Sequence, residues 1–157
     1  MIVYRLAKTK YVKDLSGRGS KLHGTRWSPP GIPVVYTAES RALAALEFYV
    51  HVESAVPRHT SIATIEVPDG CGISVLNVLS LPNNWRNLPP PLKLQKFGAA
   101  WFASSSDILL KVPSVLVPNE YNYLINPVHA DSKLIRILQI EKYIFDQRFK
   151  KLVKTAK

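Results

Sequence analysis

Apolar positions along the chain return in two rhythms. From Ser40 to His51 the rhythm is helical: Leu43, Leu46 and Val50 recur at helix spacing, Ala42, Ala44 and Ala45 favour the conformation, and Ser40 can cap the first turn. Leu92 to Ser104 reads as a second helix, with Leu94, Phe97, Trp101 and Phe102 on one face; Gly98 weakens it slightly or permits close packing. Shorter apolar runs read as strands at Ile2–Leu6, Val34–Tyr36, Ser61–Val67, Tyr121–Asn126 and Leu134–Ile140. Ile108–Val117 is apolar and β-branched but interrupted by Pro113 and Ser114, which suggests an edge strand or a bulge. Between these lie loops: Lys8–Leu22, the SPPGIP turn from Ser28 to Pro33, the turn at Pro68–Gly70, and the Pro- and Asn-rich stretch Leu76–Pro91. Pro57 is expected to end the first helical region, and the residues from about 148 to form a basic tail or helix. With no internal repeat, low-complexity tract or linker, the pattern predicts a single α+β domain over residues 1–157.

One polar residue breaks the helical rhythm. At ~100° per residue, Glu47 falls beside Leu43 and Val50 rather than opposite them. A carboxylate at the rim of an apolar stripe is costly without a partner or a task. Tyr36 is expected at a strand end near the start of that helix, and Arg26 lies just before the Pro/Gly turn. One cleft could therefore hold Arg26, Tyr36 and Glu47. The plainer reading of the same residues is a structural Arg–Glu ion pair, a core tyrosine with a wet hydroxyl, and an arginine stacked on Trp27.

Composition narrows the chemistry. The 157 residues suffice for a real core, and the 12 prolines argue against a helical bundle. The single cysteine, Cys71, excludes an internal disulfide and the Cys-rich zinc sites. The start MIVYRLAKTK lacks a signal-peptide pattern and no apolar run is long enough to span a membrane, so a reducing cytoplasm is the expected location. His23, His51, His59 and His129 show no metal spacing; HExxH, CxxC, a P-loop and a Gly-x-Ser-x-Gly elbow are all absent, so no metal or cofactor is expected. His51 lies one helical turn beyond Glu47, where it could hydrogen-bond that carboxylate or simply cover the helix surface, the latter being the favoured reading. The net charge of +10 predicts attraction to anions: nucleic acid, phosphorylated small molecules or an acidic protein.

The words GTRW, VVYTAES, ALAALE and VPSVLVPNEYNYLINPVH, in that order, resemble the RES domain family, named for its Arg, Glu and Ser. Here those residues are Arg26, Glu47 and Ser114. The resemblance runs from VYR near residue 4 to FDQR at Phe145; Ala99 and Gln147 depart slightly from the family's pattern. It implies a compact fold like that of ADP-ribosyltransferase toxins, with a mixed, largely antiparallel β core and flanking helices. It also implies a bacterial toxin of a two-component toxin–antitoxin system, neutralised by an Xre-type antitoxin through which DNA would be contacted.

The activity implied is cleavage of the nicotinamide–ribose bond of NAD as substrate, with water or phosphate as acceptor. Some relatives instead transfer ADP-ribose to a protein. In that chemistry Glu47 would stabilise the charge developing on the ribose, Arg26 would grip the pyrophosphate or ribose, and Tyr36 would stack on nicotinamide. Ser114 would donate to phosphate or orient Glu47. Asn122 and His129 would shape the pocket, and Arg5 could reach the phosphates or be structural. The charge leaves a nucleic-acid-binding or ribonuclease reading as the alternative, although the aromatic and basic residues do not interleave as in RNA-binding modules.

Overall fold

The computed structural model describes residues 1–52 and 58–151; the expected helix stop at Pro57 and most of the basic tail lie outside these residues. Among the described residues seven strands form one sheet in the order β4-β5-β6-β2-β1-β3-β7. In chain order they are β1 (Ile2–Lys8), β2 (Val35–Ala38), β3 (Thr60–Glu66), β4 (Ile73–Val75), β5 (Leu109–Pro113), β6 (Tyr121–Ile125) and β7 (Arg136–Tyr143). Only β4 and β5 run parallel; every other pair is antiparallel. In the described residues three α-helices accompany the sheet: α1 (Arg18–His23), α2 (Arg41–Tyr49) and α3 (Leu92–Ser104). The expected mixed, largely antiparallel α+β architecture is the one observed.

Strand alternation divides the core. Val3 and Ala7 of β1, Val35 of β2 and Tyr123 and Ile125 of β6 face one side, where Val12 and Leu15 cover them. Tyr4 and Leu6 face the other side with Ala38, packing against Leu43, Ala44 and Ala45 of α2. On that same side Leu110, Val112 and Leu124 meet Leu94 and Trp101 of α3 and the two indoles Trp27 and Trp85. The candidate residues Tyr36 and Glu47 sit where these last two clusters adjoin.

Two of the helices, α2 and α3, start where the pattern places them. Ser40 Oγ accepts from the backbone N–H of Leu43 at 3.0 Å, capping α2. α3 spans the expected Leu92–Ser104. Gly98 turns out to serve close packing: a Cβ there would lie 1.8 Å from the Trp27 carbonyl oxygen.

Four expectations are corrected. The supposed loop Lys8–Leu22 contains most of α1, which closes on Gly24 at positive φ. The strand β4 was unexpected; it is three residues long and largely exposed, too short to show a period. Pro113 ends an interior strand, but it pairs only with Tyr121 and lies past Lys111, the last partner of β4, so its missing N–H breaks no β4 ladder bond. Tyr36 is the second residue of β2, inside the sheet and paired with Leu124, not at a strand end.

Among the described residues no helix is long and apolar enough to cross a membrane, and no group of three or more His, Cys, Asp or Glu side chains could hold a metal ion.

Candidate active site

The site is built around Glu47 on α2. The residue is half-buried at the edge of the helix's apolar face. Its Oε1 accepts from Asn122 Nδ2 at 2.6 Å and from Ser114 Oγ at 3.2 Å. Asn122 comes from β6, where pairing with Ala38 turns it toward α2. Ser114 follows β5 and is buried; its oxygen also accepts from the backbone N–H groups of Leu116 and Val117, so its single proton is free to go to Glu47. Both holders are neutral. Among the described residues Glu47 makes no ion pair, so the expected alternative of an Arg26–Glu47 salt bridge is not what the structure contains. Neutral donors fix the carboxylate's direction without cancelling its charge.

Arg26 and Trp27 arrive on a tight turn. Thr25 Oγ1 accepts from the N–H groups of Trp27 and Ser28, both at 3.1 Å, and Gln95 of α3 donates to the Thr25 carbonyl at 2.9 Å. Arg26 is half-buried, and one terminal nitrogen, Nη1, donates to the carbonyls of Trp85 at 2.8 Å and Asn87 at 3.2 Å. Burial pulls its guanidinium below the ordinary value, while Tyr36 and Glu47 act in the opposite direction. Arg26 does not stack on its neighbour Trp27: that indole packs instead on Trp85, with ring centroids 6.1 Å apart.

Tyr36 lies between these groups. Burial, reinforced by the Glu47 charge, drives its phenol far above the ordinary value, so it stays protonated; Trp27, Arg26 and Asn122 only partly offset this. The structure thus gathers Arg26, Tyr36, Glu47, Ser114 and Asn122 into one neighbourhood, with Ser114 and Asn122 standing behind the carboxylate.

Two other expected residues are elsewhere. Arg5 alternates with Tyr4 and Leu6, so its side chain leaves the opposite face of the sheet beside Val3 and Ala7. The expected reach of Arg5 to a ligand shared with Arg26 is therefore corrected. His129 follows the far end of β6, where its Nδ1 accepts from the Asp131 N–H at 3.1 Å and caps a 3-10 turn. His51 is exposed just beyond α2, as expected for surface cover. Sequence reading missed Trp27, which is wholly buried in the cluster that Tyr36 packs against and whose indole N–H has no partner among the described residues. The available signal was its place directly after Arg26, since a buried indole needs an acceptor.

Two cavities lie away from this cluster. One of about 150 Å³ is lined by Leu15, Val35, Ile125 and Lys133; another of about 360 Å³ is lined by Lys8, Phe48, His51 and Val52. Among the described residues, neither lining assembles an acid, an arginine and an aromatic ring. Chemistry, not volume, makes the Glu47 cluster the candidate site.

Residues 2–146 match the RES domain family. The chain is a member of the RES family. This RES protein is 42% identical over 145 residues to the Prs ADP-ribosylating toxin of Sphingobium sp. (strain YBL2), covering 90% of each chain. It is 38% identical to Toxin Res of Photorhabdus laumondii over the full length of both. Its fold is similar to that in the crystal structure of the M. tuberculosis MbcT-MbcA toxin–antitoxin complex, with a TM-score of 0.73, 17% identity, and coverage of 99% of this chain and 89% of the other.

Proposed function

We propose that this RES protein is the toxin of a toxin–antitoxin pair and that it acts by breaking the nicotinamide–ribose bond of NAD. The observation that carries the reading is the Glu47 carboxylate, aimed by two neutral donors and left without a cationic partner among the described residues. When the glycosidic bond breaks, its electron pair leaves with nicotinamide and positive charge develops on the ribose. An unneutralised carboxylate is the group that stabilises such charge. Water or phosphate then adds to the anomeric carbon and gives up a proton. Arg26 supplies a planar fork of donors for the pyrophosphate, and Tyr36 a neutral ring for the nicotinamide.

The name of the Sphingobium relative supports a second reading for the acceptor, transfer of ADP-ribose to a protein. The cognate antitoxin is proposed to be of the Xre type, carrying the DNA-binding helix-turn-helix; the similarity to a toxin taken from a toxin–antitoxin complex supports a protein partner. No resident cofactor is invoked, and the cytoplasm, where NAD is abundant, is the proposed place of action.

The test is incubation of the folded protein with NAD, with and without phosphate, followed by chromatography of the products. Nicotinamide release is expected, and labelled NAD with candidate acceptors distinguishes water, phosphate and protein. No release under any condition rejects the reading.

A further inference from the structure

The stretch Leu76–Pro91 is mostly exposed, with Leu79 and Leu88 almost fully so, yet Leu81 and Trp85 are buried in it. Trp85 enters the cluster that holds Leu94 and Trp101 of α3, and its ring centroid lies 6.1 Å from that of Trp27. The Arg86 guanidinium lies 4.8 Å from the same ring. Two turns shape the backbone around it: the Trp85 N–H donates to the Pro82 carbonyl and the Asn87 N–H to the Asn84 carbonyl, both at 2.9 Å. A buried indole is a large apolar anchor, and it fixes the backbone that carries it.

That backbone meets the site. The carbonyls of Trp85 and Asn87 accept from Arg26 Nη1 at 2.8 and 3.2 Å. Nη1 has two protons, so both are engaged. Among the described residues no other acceptor takes a hydrogen bond from this guanidinium. Nε and Nη2 keep their protons, and side by side they form the planar fork that matches two oxygens of a phosphate. The carbonyls are neutral, so they hold the cation without cancelling its charge, as Ser114 and Asn122 do for Glu47.

We propose that Trp85 is a positioning residue for Arg26: its buried indole seats the Trp85 and Asn87 carbonyls on Nη1, so that the guanidinium offers its Nε–Nη2 edge to a pyrophosphate. Without the anchor, the two carbonyls sit on an exposed loop and the guanidinium is free to turn. The ligand in this statement rests on the NAD reading above.

The experiment uses two graded variants and one measurement that needs no turnover. Trp85→Leu removes the ring, whereas Trp85→Phe keeps a smaller one in the same place. Thermal denaturation checks that each is folded. Trp85→Leu is expected to lower kcat/KM for NAD, and the affinity for ADP-ribose read by calorimetry, about five- to tenfold, the size of one hydrogen bond. Trp85→Phe is expected to lower both about twofold, a fraction of that bond. In an Arg26→Lys background either change is expected to add little, because its effect passes through the guanidinium. In nitrogen-15 NMR spectra the Arg26 Nε–H resonance, assigned by its loss in Arg26→Lys, is expected to move in both variants, further in Trp85→Leu.

Losses that multiply in the double variants, or an Arg26 resonance that stays in place in whichever Trp85 variant folds, overturn the assignment and leave Trp85 as core packing. If the parent protein neither consumes NAD nor binds ADP-ribose, the pyrophosphate falls with the NAD reading. The Arg26 resonance still decides whether Trp85 holds the guanidinium.

Discussion

Two arginines of this protein are drawn into the fold, on opposite faces of one sheet, and they differ in everything but residue type. Arg26 sits on a loop, with two carbonyl acceptors and an acid and a phenol nearby. Arg5 sits in the middle of β1, with its Nε buried and lacking an acceptor, and with only Asp14 to counter the cost of burial. The first is held by neutral polar groups that leave its charge to a ligand. The second is surrounded by the apolar cluster of Val3, Ala7, Val12 and Val35. A guanidinium is therefore not a functional mark in itself; its acceptors and its face of the sheet decide what it can do.

The largest expected effect belongs to the Arg26 face. Glu47→Gln keeps the shape and both supporting neighbours but removes the charge. NAD turnover should fall on the order of a hundredfold or more, with growth arrest lost and the folded spectrum unchanged. Equal toxicity of that variant would take Glu47 out of the role given to it.

The two arginines can be set against each other directly. Arg26→Lys loses the planar fork, and turnover should drop on the order of ten- to hundredfold, the worth of one or two charge-assisted hydrogen bonds. Arg5→Met should leave turnover as it is and hold or raise stability, by on the order of 1 kcal/mol, because it removes a half-buried cation that makes no ion pair among the described residues. Denaturant titration and the NAD assay read both. Loss of turnover in a fully folded Arg5→Met protein would break the contrast between the two faces.

The smallest effect is one of pH. Tyr36 holds its proton in the folded protein to higher pH than in the unfolded chain. The unfolded state therefore binds fewer protons once pH passes the ordinary phenol value of about 10, and stability falls from there upward. Below that value the two states bind equally and nothing changes. Tyr36→Phe should flatten the alkaline fall relative to the parent; identical slopes would mean that the phenol is not shielded as the structure has it.

Much of this arrangement was readable from the residues because local rules governed it. Ser40 announced α2, and the apolar face of Leu94 and Trp101 fixed the length of α3. Glu47 stood out because it violated the apolar stripe. The family words brought in Ser114 and, with less weight, Asn122. What could not be read depends on partners distant in sequence. Arg5 looked like a second phosphate ligand because a strand's register decides which face each residue takes, and the register of β1 is set by Tyr4↔Ala38 and Arg5↔Ala63. β4 is too short to carry a rhythm. Trp27 looked like a stacking neighbour of Arg26, since nothing local shows that its indole packs on Trp85, far along the chain.

The missing side chain at position 98 has a mechanical consequence. The backbone of the GTRW turn presses so closely on α3 that a single methyl group would collide with the Trp27 carbonyl, and Gln95, three residues earlier, grips the same turn. Turn and helix are thereby keyed together with no slack between them. Any shift of α3 along its axis carries the guanidinium of Arg26 with it, whereas Glu47 rides on a separate helix and stays behind. The distance between acid and base is set by how two independently mounted helices seat on one sheet.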